Sequence, residues 1–255
     1  MSKLLQGKTA LILGIANKWS LAYAIAQAFS REGARLVLTY LGERQKGSIE
    51  ELSKGLEVAA ILPCDVTKDE ELTALTEGLR PLGRLDAVVH SLAFANREDL
   101  SRPFLETGRE GFLLAQNVSA YSLVAVARAT AELMTDGGSL TTLTYLGSTR
   151  VLSGYNVMGV AKAALEASMK YLADNLGPRK IRVNAISAGP VKTASARAIK
   201  DFTSVLELAP QRAPLRRNTD PAEVGDAAVF LASDLSRGVT GNVLFVDSGM
   251  QIMGF

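Results

Sequence analysis

Short apolar, β-branched runs alternate with longer stretches of helical period from one end of the chain to the other. The runs fall at residues 9–13, 35–40, 58–62, 87–90, 139–145, 182–186 and 243–246. Between them the pattern predicts helices near 21–31, 43–53, 70–79, 110–133, 155–176 and 222–232. Strand–helix alternation of this kind implies βαβ units, because parallel strands need long crossovers that cover the sheet. The expected fold is therefore α/β, a doubly wound parallel seven-stranded sheet with helices on both faces. No Pro-, Gly- or Ser-rich linker interrupts it, so residues 1–255 read as a single domain.

One stretch breaks the rhythm. From about 188 to 220 the chain runs through Gly189-Pro190, a helical pattern near 194–208, Pro210, Pro214 and Arg216-Arg217. That is more chain than a crossover needs, and an insertion at the carboxyl end of a strand is commonly a lid or substrate loop. An inert packed excursion is the competing reading.

Composition narrows the class. The 47% hydrophobic and 21% charged content suits a globular chain and argues against disorder. A net charge of +2 from scattered basic residues gives no nucleic-acid surface. The single cysteine, Cys64, excludes an internal disulfide and follows a predicted strand, as a buried thiol would. No apolar run reaches the roughly 18 residues of a membrane span, and the N-terminus lacks a signal-peptide core, so the chain reads as cytoplasmic. No cluster of His, Cys or carboxylates has metal spacing.

The candidate chemistry centres on Tyr155 and Lys162, seven residues apart. In a helix that is almost two turns, about 10.5 Å of rise, with both side chains on one face. A phenol can donate to a developing oxyanion, and a nearby ammonium lowers its pKa and can hold a ribose hydroxyl. A surface Tyr and a solvated Lys would share the same spacing. Further positions support a dinucleotide. Gly14 ends the first strand, and Ser20-Leu21 open the helix that follows, where N–H groups would face a pyrophosphate. The full glycine fingerprint is missing, and Ser20 would serve equally as a plain N-cap. Tyr40 ends the second strand and Asp65-Val66 follow the third, where a carboxylate could accept from an adenine amino group. Ser91-Leu92-Ala93 and Ala95 follow the fourth, a small-residue turn. Ala188-Gly189-Pro190-Val191 and Thr193 follow the sixth. All fall where open α/β sheets bind ligands. His90, the only histidine, has no triad partners and reads as structural.

Taken together, Thr144-Tyr145-Leu146-Gly147, Tyr155 through Lys162, Ser20, Asp65-Val66, Ser91 and Ser187 through Pro190 resemble the bacterial-type enoyl-acyl-carrier-protein reductases. These are divergent members of the short-chain dehydrogenase/reductase superfamily, and the likeness covers essentially the whole chain. Ordinary superfamily members place the tyrosine four residues before the lysine, where Met158 stands here. The resemblance implies a Rossmann-like fold and reduction of a trans-2-enoyl thioester, with hydride passing from NADH to C3. By the same likeness Tyr155 donates to the enolate oxygen and Lys162 grips the nicotinamide ribose. Tyr145 borders the acyl site, as proton donor or positioning ring. Ala95, Met158, Ala194, Ala196, Ile199, Phe202 and Val205 would surround the acyl chain, with ordinary core packing as the alternative. Asn117 would serve a water relay or be a buried amide. Members that prefer NADPH carry basic residues directly after the second strand, where Leu41-Gly42 stand, so NADH is expected; Arg44 keeps NADPH open.

The acyl carrier protein is a strongly acidic partner. Lys192, Arg197, Lys200, Arg212, Arg216 and Arg217 would form its docking patch, unless they are scattered solvated charges. A homotetramer is implied too, the helices near 110–133 and 155–176 packing on a neighbour through Ala125, Ala127, Ala129, Ala163, Ala164 and Ala167. Two other activities compete: a carbonyl (3-oxoacyl) reductase of the same superfamily, and a non-catalytic nucleotide-binding regulator.

Overall fold

A computed structural model describes residues 3–193 and 202–254, without the side chains of residues 202 and 203. Seven strands appear where the apolar runs predict them: β1 (Thr9–Leu13), β2 (Arg35–Tyr40), β3 (Val58–Pro63), β4 (Ala87–His90), β5 (Gly138–Thr144), β6 (Ile181–Ala188) and β7 (Val243–Val246). They form one parallel sheet in the order β3-β2-β1-β4-β5-β6-β7. The strand order reverses between β1 and β4, which opens a crevice at their carboxyl ends.

Nine helices are described: α1 (Leu21–Arg31), α2 (Glu43–Leu52), α3 (Asp69–Leu79), α4 (Arg97–Ser101), α5 (Arg109–Gln116), α6 (Ser122–Thr130), α7 (Asn156–Leu176), α8 (Phe202–Arg212) and α9 (Pro221–Ala232). Side chains alternate across a strand, so each strand feeds two cores. Leu11 and Leu13 pack with Leu72, Leu75, Leu123, Leu165 and Met169 on the α3, α6 and α7 side. Ala10 and Ile12 pack with Ile25, Phe29, Val224 and Val229 on the α1 and α9 side. A third apolar cluster lies at the carboxyl edge and joins Leu100, Ala115, Tyr155, Val157, Met158 and Ala161, with Ala95 and Tyr145 packed against it.

Three departures from the sequence reading bear on function. The single helix expected over 110–133 is broken into α5, a π turn (Asn117–Tyr121) and α6. The extra residue in that turn puts Ser119 inward, where its hydroxyl accepts from the Phe94 N–H at 2.9 Å and donates to the Phe94 carbonyl at 3.0 Å. Asn117 is exposed, so it is not the buried amide expected. The helix expected from 155 starts one residue later, at Asn156, whose φ of +38° lies in the left-handed region. The Asn156 amide donates to the carbonyls of Leu100 (3.2 Å) and Arg102 (2.7 Å), which tie this turn to the end of α4.

Candidate active site

The crevice is built first by a glycine. Gly14 follows β1 with φ +99°, and a Cβ there would collide with the Ser91 carbonyl oxygen. Only glycine lets the turns after β1 and β4 close on each other. Ser20 holds the N-cap position of α1 but makes no capping bond. Its hydroxyl donates back to the Asn17 carbonyl at 2.6 Å. With no acidic residue in its first turn, α1 presents an uncapped, positively polarised end beside Gly14. A pyrophosphate fits such an end, so the residues present suit a dinucleotide.

The remaining cofactor positions gather along the same edge. Tyr40 ends β2 and is buried, and Ala188, Gly189, Pro190 and Val191 are buried as they leave β6. Ser91 and Leu92 are half-buried and Ala93 exposed in the turn after β4. Asp65 follows β3 beside buried Val66. Burial works against the Asp65 charge, but the Thr67 hydroxyl and N–H, with Lys68 nearby, outweigh it and hold the carboxyl below its ordinary value. Its Oδ1 is occupied by Thr67, and Oδ2, held only by a longer ion pair with Lys68 Nζ at 3.7 Å, is the oxygen an adenine amino group could use. Leu21 begins α1, and Thr193 is the last residue described before the gap in the insertion. The Cys64 thiol is buried and pushed up to about 12 by that burial, with Glu71 and Asp65 adding to it, which makes it inert.

At the carboxyl end of β5 stand Lys162 and Tyr155, the pair the sequence singled out. Lys162 is 5% exposed and its Nζ donates to the Leu143 carbonyl at 2.7 Å. Burial pushes its ammonium down to about 8, against the opposing pull of Glu166. Tyr155 is 7% exposed, and its ring meets Tyr145 edge-on, centroids 5.2 Å apart at 70°. Gly147 makes room for that ring, since a Cβ there would run into Tyr155 Cδ1. The expectation that Lys162 would acidify the phenol is not met. Burial raises Tyr155 well above the ordinary tyrosine range, and Tyr145 and Glu166 raise it further. Burial is the leading cause, and Lys162, whose Nζ donates to the Leu143 carbonyl, does not offset it. Tyr145 is likewise pushed up to about 12 by burial. Both phenols are therefore neutral donors at physiological pH.

Of the acyl-site positions, Ala95, Met158, Tyr145 and Tyr155 come together in the third apolar cluster. Ala194, Ala196 and Ile199 lie outside the described residues, and of Phe202 only the backbone at the start of α8 is described. Val205 is half-buried on α8. A cavity of about 710 Å³ opens beside the cofactor edge, lined by Trp19, Ser20, Pro190, Val191, Lys192 and Leu206 among others. Tyr155 is not among the residues that line it. Sequence reasoning missed Ser119, Asn156 and Glu166. Of these only Glu166 carried a signal, one helical turn beyond Lys162.

Crevice and pair define a class: reductases of the short-chain dehydrogenase type, in which a nicotinamide cofactor lies across the strand ends beside a tyrosine and a lysine. Comparison with known proteins gives the particular family. The family described as Enoyl-(Acyl carrier protein) reductase matches residues 14–251, and the chain belongs to it. It is similar to the enoyl-acyl-carrier-protein reductase (NADH) of Bacillus cereus, 56% identical over 255 residues, 99% of this chain and 100% of that one. The NADPH enzyme of Staphylococcus aureus strain MRSA252 is 51% identical over 250 residues, 97% and 98% of the two chains. Among solved structures, the Bacillus cereus enoyl-acyl carrier protein reductase with NADP+ and an indole naphthyridinone superposes with a TM-score of 0.97 at 56% identity, covering 99% of this chain and 100% of that one.

Proposed function

We propose that the chain reduces the carbon–carbon double bond of a trans-2-enoyl thioester carried on acyl carrier protein, with NADH as reductant, in the last reductive step of fatty-acid elongation. The observation that carries the reading is the buried Tyr155–Lys162 pair beside Tyr145, with Met158 where a carbonyl reductase of the superfamily has its tyrosine. Gly14, Ser20, Leu21, Tyr40, Asp65, Val66, Ser91, Leu92, Ala93, Ala188 to Val191 and Thr193 would hold the cofactor, which when bound supplies the hydride for C3. Tyr155 donates a hydrogen bond to the thioester oxygen as negative charge gathers there. A buried neutral phenol suits that task, because its donor strength is not diluted by water. Lys162 holds a ribose hydroxyl, and Tyr145 positions the thioester through its edge contact with Tyr155.

NADH is favoured over NADPH by the tip of β2. Leu41 is exposed there with its N–H bonded to the Gln45 side chain at 3.0 Å, and Gly42 offers no charge. The cations that follow in sequence are the exposed Arg44 and the half-buried Lys46, the latter over the Tyr40 ring at 5.9 Å and paired with Glu43 at 3.8 Å. The insertion from about 188 to 220 acts as a lid over the acyl site, supported by its place at the end of β6.

A homotetramer is part of the proposal. Exposed Leu113, Tyr121, Val160 and Tyr171 on the α5–α7 side support it. Ala125 and Ala127 cannot take part as expected, since both are buried in the chain's own core, whereas Ala163 and Ala167 are exposed. No described helix is long and apolar enough to cross a membrane. A cytoplasmic site of action suits an enzyme that meets a soluble carrier.

The test is loss of reduced-nicotinamide absorbance with a crotonyl thioester and either NADH or NADPH. We expect turnover with NADH, and a fall of about 100-fold or more in kcat for Tyr155→Phe with little change in NADH affinity. Turnover confined to a 3-oxoacyl thioester would make the chain a carbonyl reductase, and an unchanged rate in Tyr155→Phe would remove that residue from the mechanism.

A further inference from the structure

Glu166 has no part in the chemistry above, yet its place on α7 and one hydrogen bond set it next to that chemistry. It sits one turn beyond Lys162 on α7, the i,i+4 arrangement in which side chains are neighbours. Its Oε1 accepts from the Thr144 hydroxyl at 2.6 Å. Lys162 donates to Leu143, the preceding residue of β5. Two successive turns of α7 are therefore fastened to the last two residues of β5, and the residue that follows the strand is Tyr145. On its other side Glu166 borders an open groove of about 510 Å³ with Ser148, Ala163, Ala167, Lys170, Tyr171 and Asp174.

The electrostatics single out the same residue. A buried ammonium needs a counter-charge, and the described residues around Lys162 offer few. His90 on β4 is neutral, held between the Thr142 and Ser122 hydroxyls and pushed down to about 3 by burial and by Lys162. Tyr145 and Tyr155 are neutral phenols. Glu166 alone acts to keep the proton on Lys162. The other charges near Glu166 are Lys170 and Asp174, further along α7 in the outer groove.

We propose that Glu166 is a positioning residue of this site, holding Lys162 in its charged form for the cofactor ribose while its bond to Thr144 locks α7 against the strand that leads into Tyr145. The inference rests on the ribose role proposed for Lys162. Charge and anchor separate by mutation: Glu166→Gln keeps an acceptor for Thr144 but removes the charge, Glu166→Asp keeps a charge on a shorter arm, and Thr144→Val removes the anchor.

The experiment measures the NADH dissociation constant by nicotinamide fluorescence across pH, with kcat/KM for a crotonyl thioester recorded alongside. In the wild type, affinity weakens as pH rises through the Lys162 titration. In Glu166→Gln that weakening sets in about one pH unit lower, so affinity at pH 8 falls about fivefold while the loss at pH 6 is small. Glu166→Asp keeps the alkaline limb near that of the wild type, Thr144→Val lowers turnover without moving the limb, and Asp174→Asn, in the outer groove, leaves the profile in place. An unmoved limb in Glu166→Gln overturns the proposal, as does an equal displacement in Asp174→Asn. Should the glutamine variant fail to fold, an alkaline limb displaced in Glu166→Asp by the full pH unit expected of the glutamine variant overturns it as well. Failure of the wild type to reduce any enoyl thioester would strike at the reaction and leave the NADH-binding profile to judge Glu166 by itself.

Discussion

His90 ends β4 with both ring nitrogens bonded to hydroxyls, Nδ1 to Thr142 at 2.9 Å and Nε2 to Ser122 at 2.8 Å. The Ser122 hydroxyl already donates to the Val118 carbonyl at 2.6 Å, so it accepts from His90, and that assigns the proton to Nε2. Nδ1 then accepts from the Thr142 hydroxyl, which lies 2.9 Å from it and 3.2 Å from its alternative acceptor, the His90 carbonyl. The ring is neutral and its folded value, about 3, lies below the ordinary 6.5. As pH falls, the unfolded chain takes up this proton first, so the stability tied to His90 is complete above about 6.5 and is lost as pH drops towards 3. His90→Gln should be less stable than the wild type at neutral pH, yet lose less between pH 7 and pH 4, by roughly a few kcal/mol in urea unfolding. Parallel pH curves would show that other groups carry the acid sensitivity. The sequence revealed His90 as structural because no triad partner accompanied it. Its tautomer depends on hydroxyls 32 and 52 residues away, which no local pattern announces.

Among elements, the strands were the legible part, since a run buried on both faces must be apolar whatever its neighbours are. The carboxyl-edge positions followed from them, which is why Gly14, Asp65, Ser91 and Ala188 all lie on one edge. Helix breaks were not legible. A π turn inserts one residue without changing composition, so 110–133 reads as continuous although Ser119 and the Phe94 turn depend on the break. The start of α7 was misread by a single residue for a similar reason: the Asn156 conformation is fixed by carbonyls of Leu100 and Arg102, distant in sequence. Turn geometry can be tested at Gly14. Alanine there meets both a left-handed backbone and the Ser91 carbonyl oxygen. Gly14→Ala should cost about 2 kcal/mol or more of stability and weaken NADH at least about tenfold, because the turns after β1 and β4 must separate. Calorimetric Tm and NADH titration read the two effects, and a variant with wild-type values for both would mean that the crevice does not depend on this approach.

For the whole molecule the open question is how a nearly neutral protein would receive a strongly acidic partner, since a net charge of +2 gives no long-range pull. Attraction must then come from where the charges sit. Of the six basic residues proposed for docking, Arg197 and Lys200 lie outside the described residues. Arg217 is paired with both carboxylate oxygens of Glu223, at 2.5 and 2.8 Å, and has little charge left to offer. Lys192 is exposed at the rim of the larger cavity, which Lys18 and Arg31 also border, and Arg212 and Arg216 are exposed at and beyond the end of α8. Arg216 holds its backbone at φ +54° with Nη1 on the Gln211 carbonyl, which fixes the direction of its side chain. Surface attraction of this kind acts on encounter and is screened once the Debye length shortens, to roughly 8 Å at physiological salt. With carrier-bound crotonyl substrate, kcat/KM should fall several-fold as salt rises from about 0.05 to about 0.5 M, whereas an uncharged crotonyl thioester should show little change. Arg212→Glu with Arg216→Glu should reproduce the loss at low salt, mostly in KM for the carrier, and Arg217→Gln should not, because its charge is already answered within the fold. If carrier-bound and free thioesters respond to salt alike, the partner is held by contacts in the crevice and the basic residues around α8 are merely solvated.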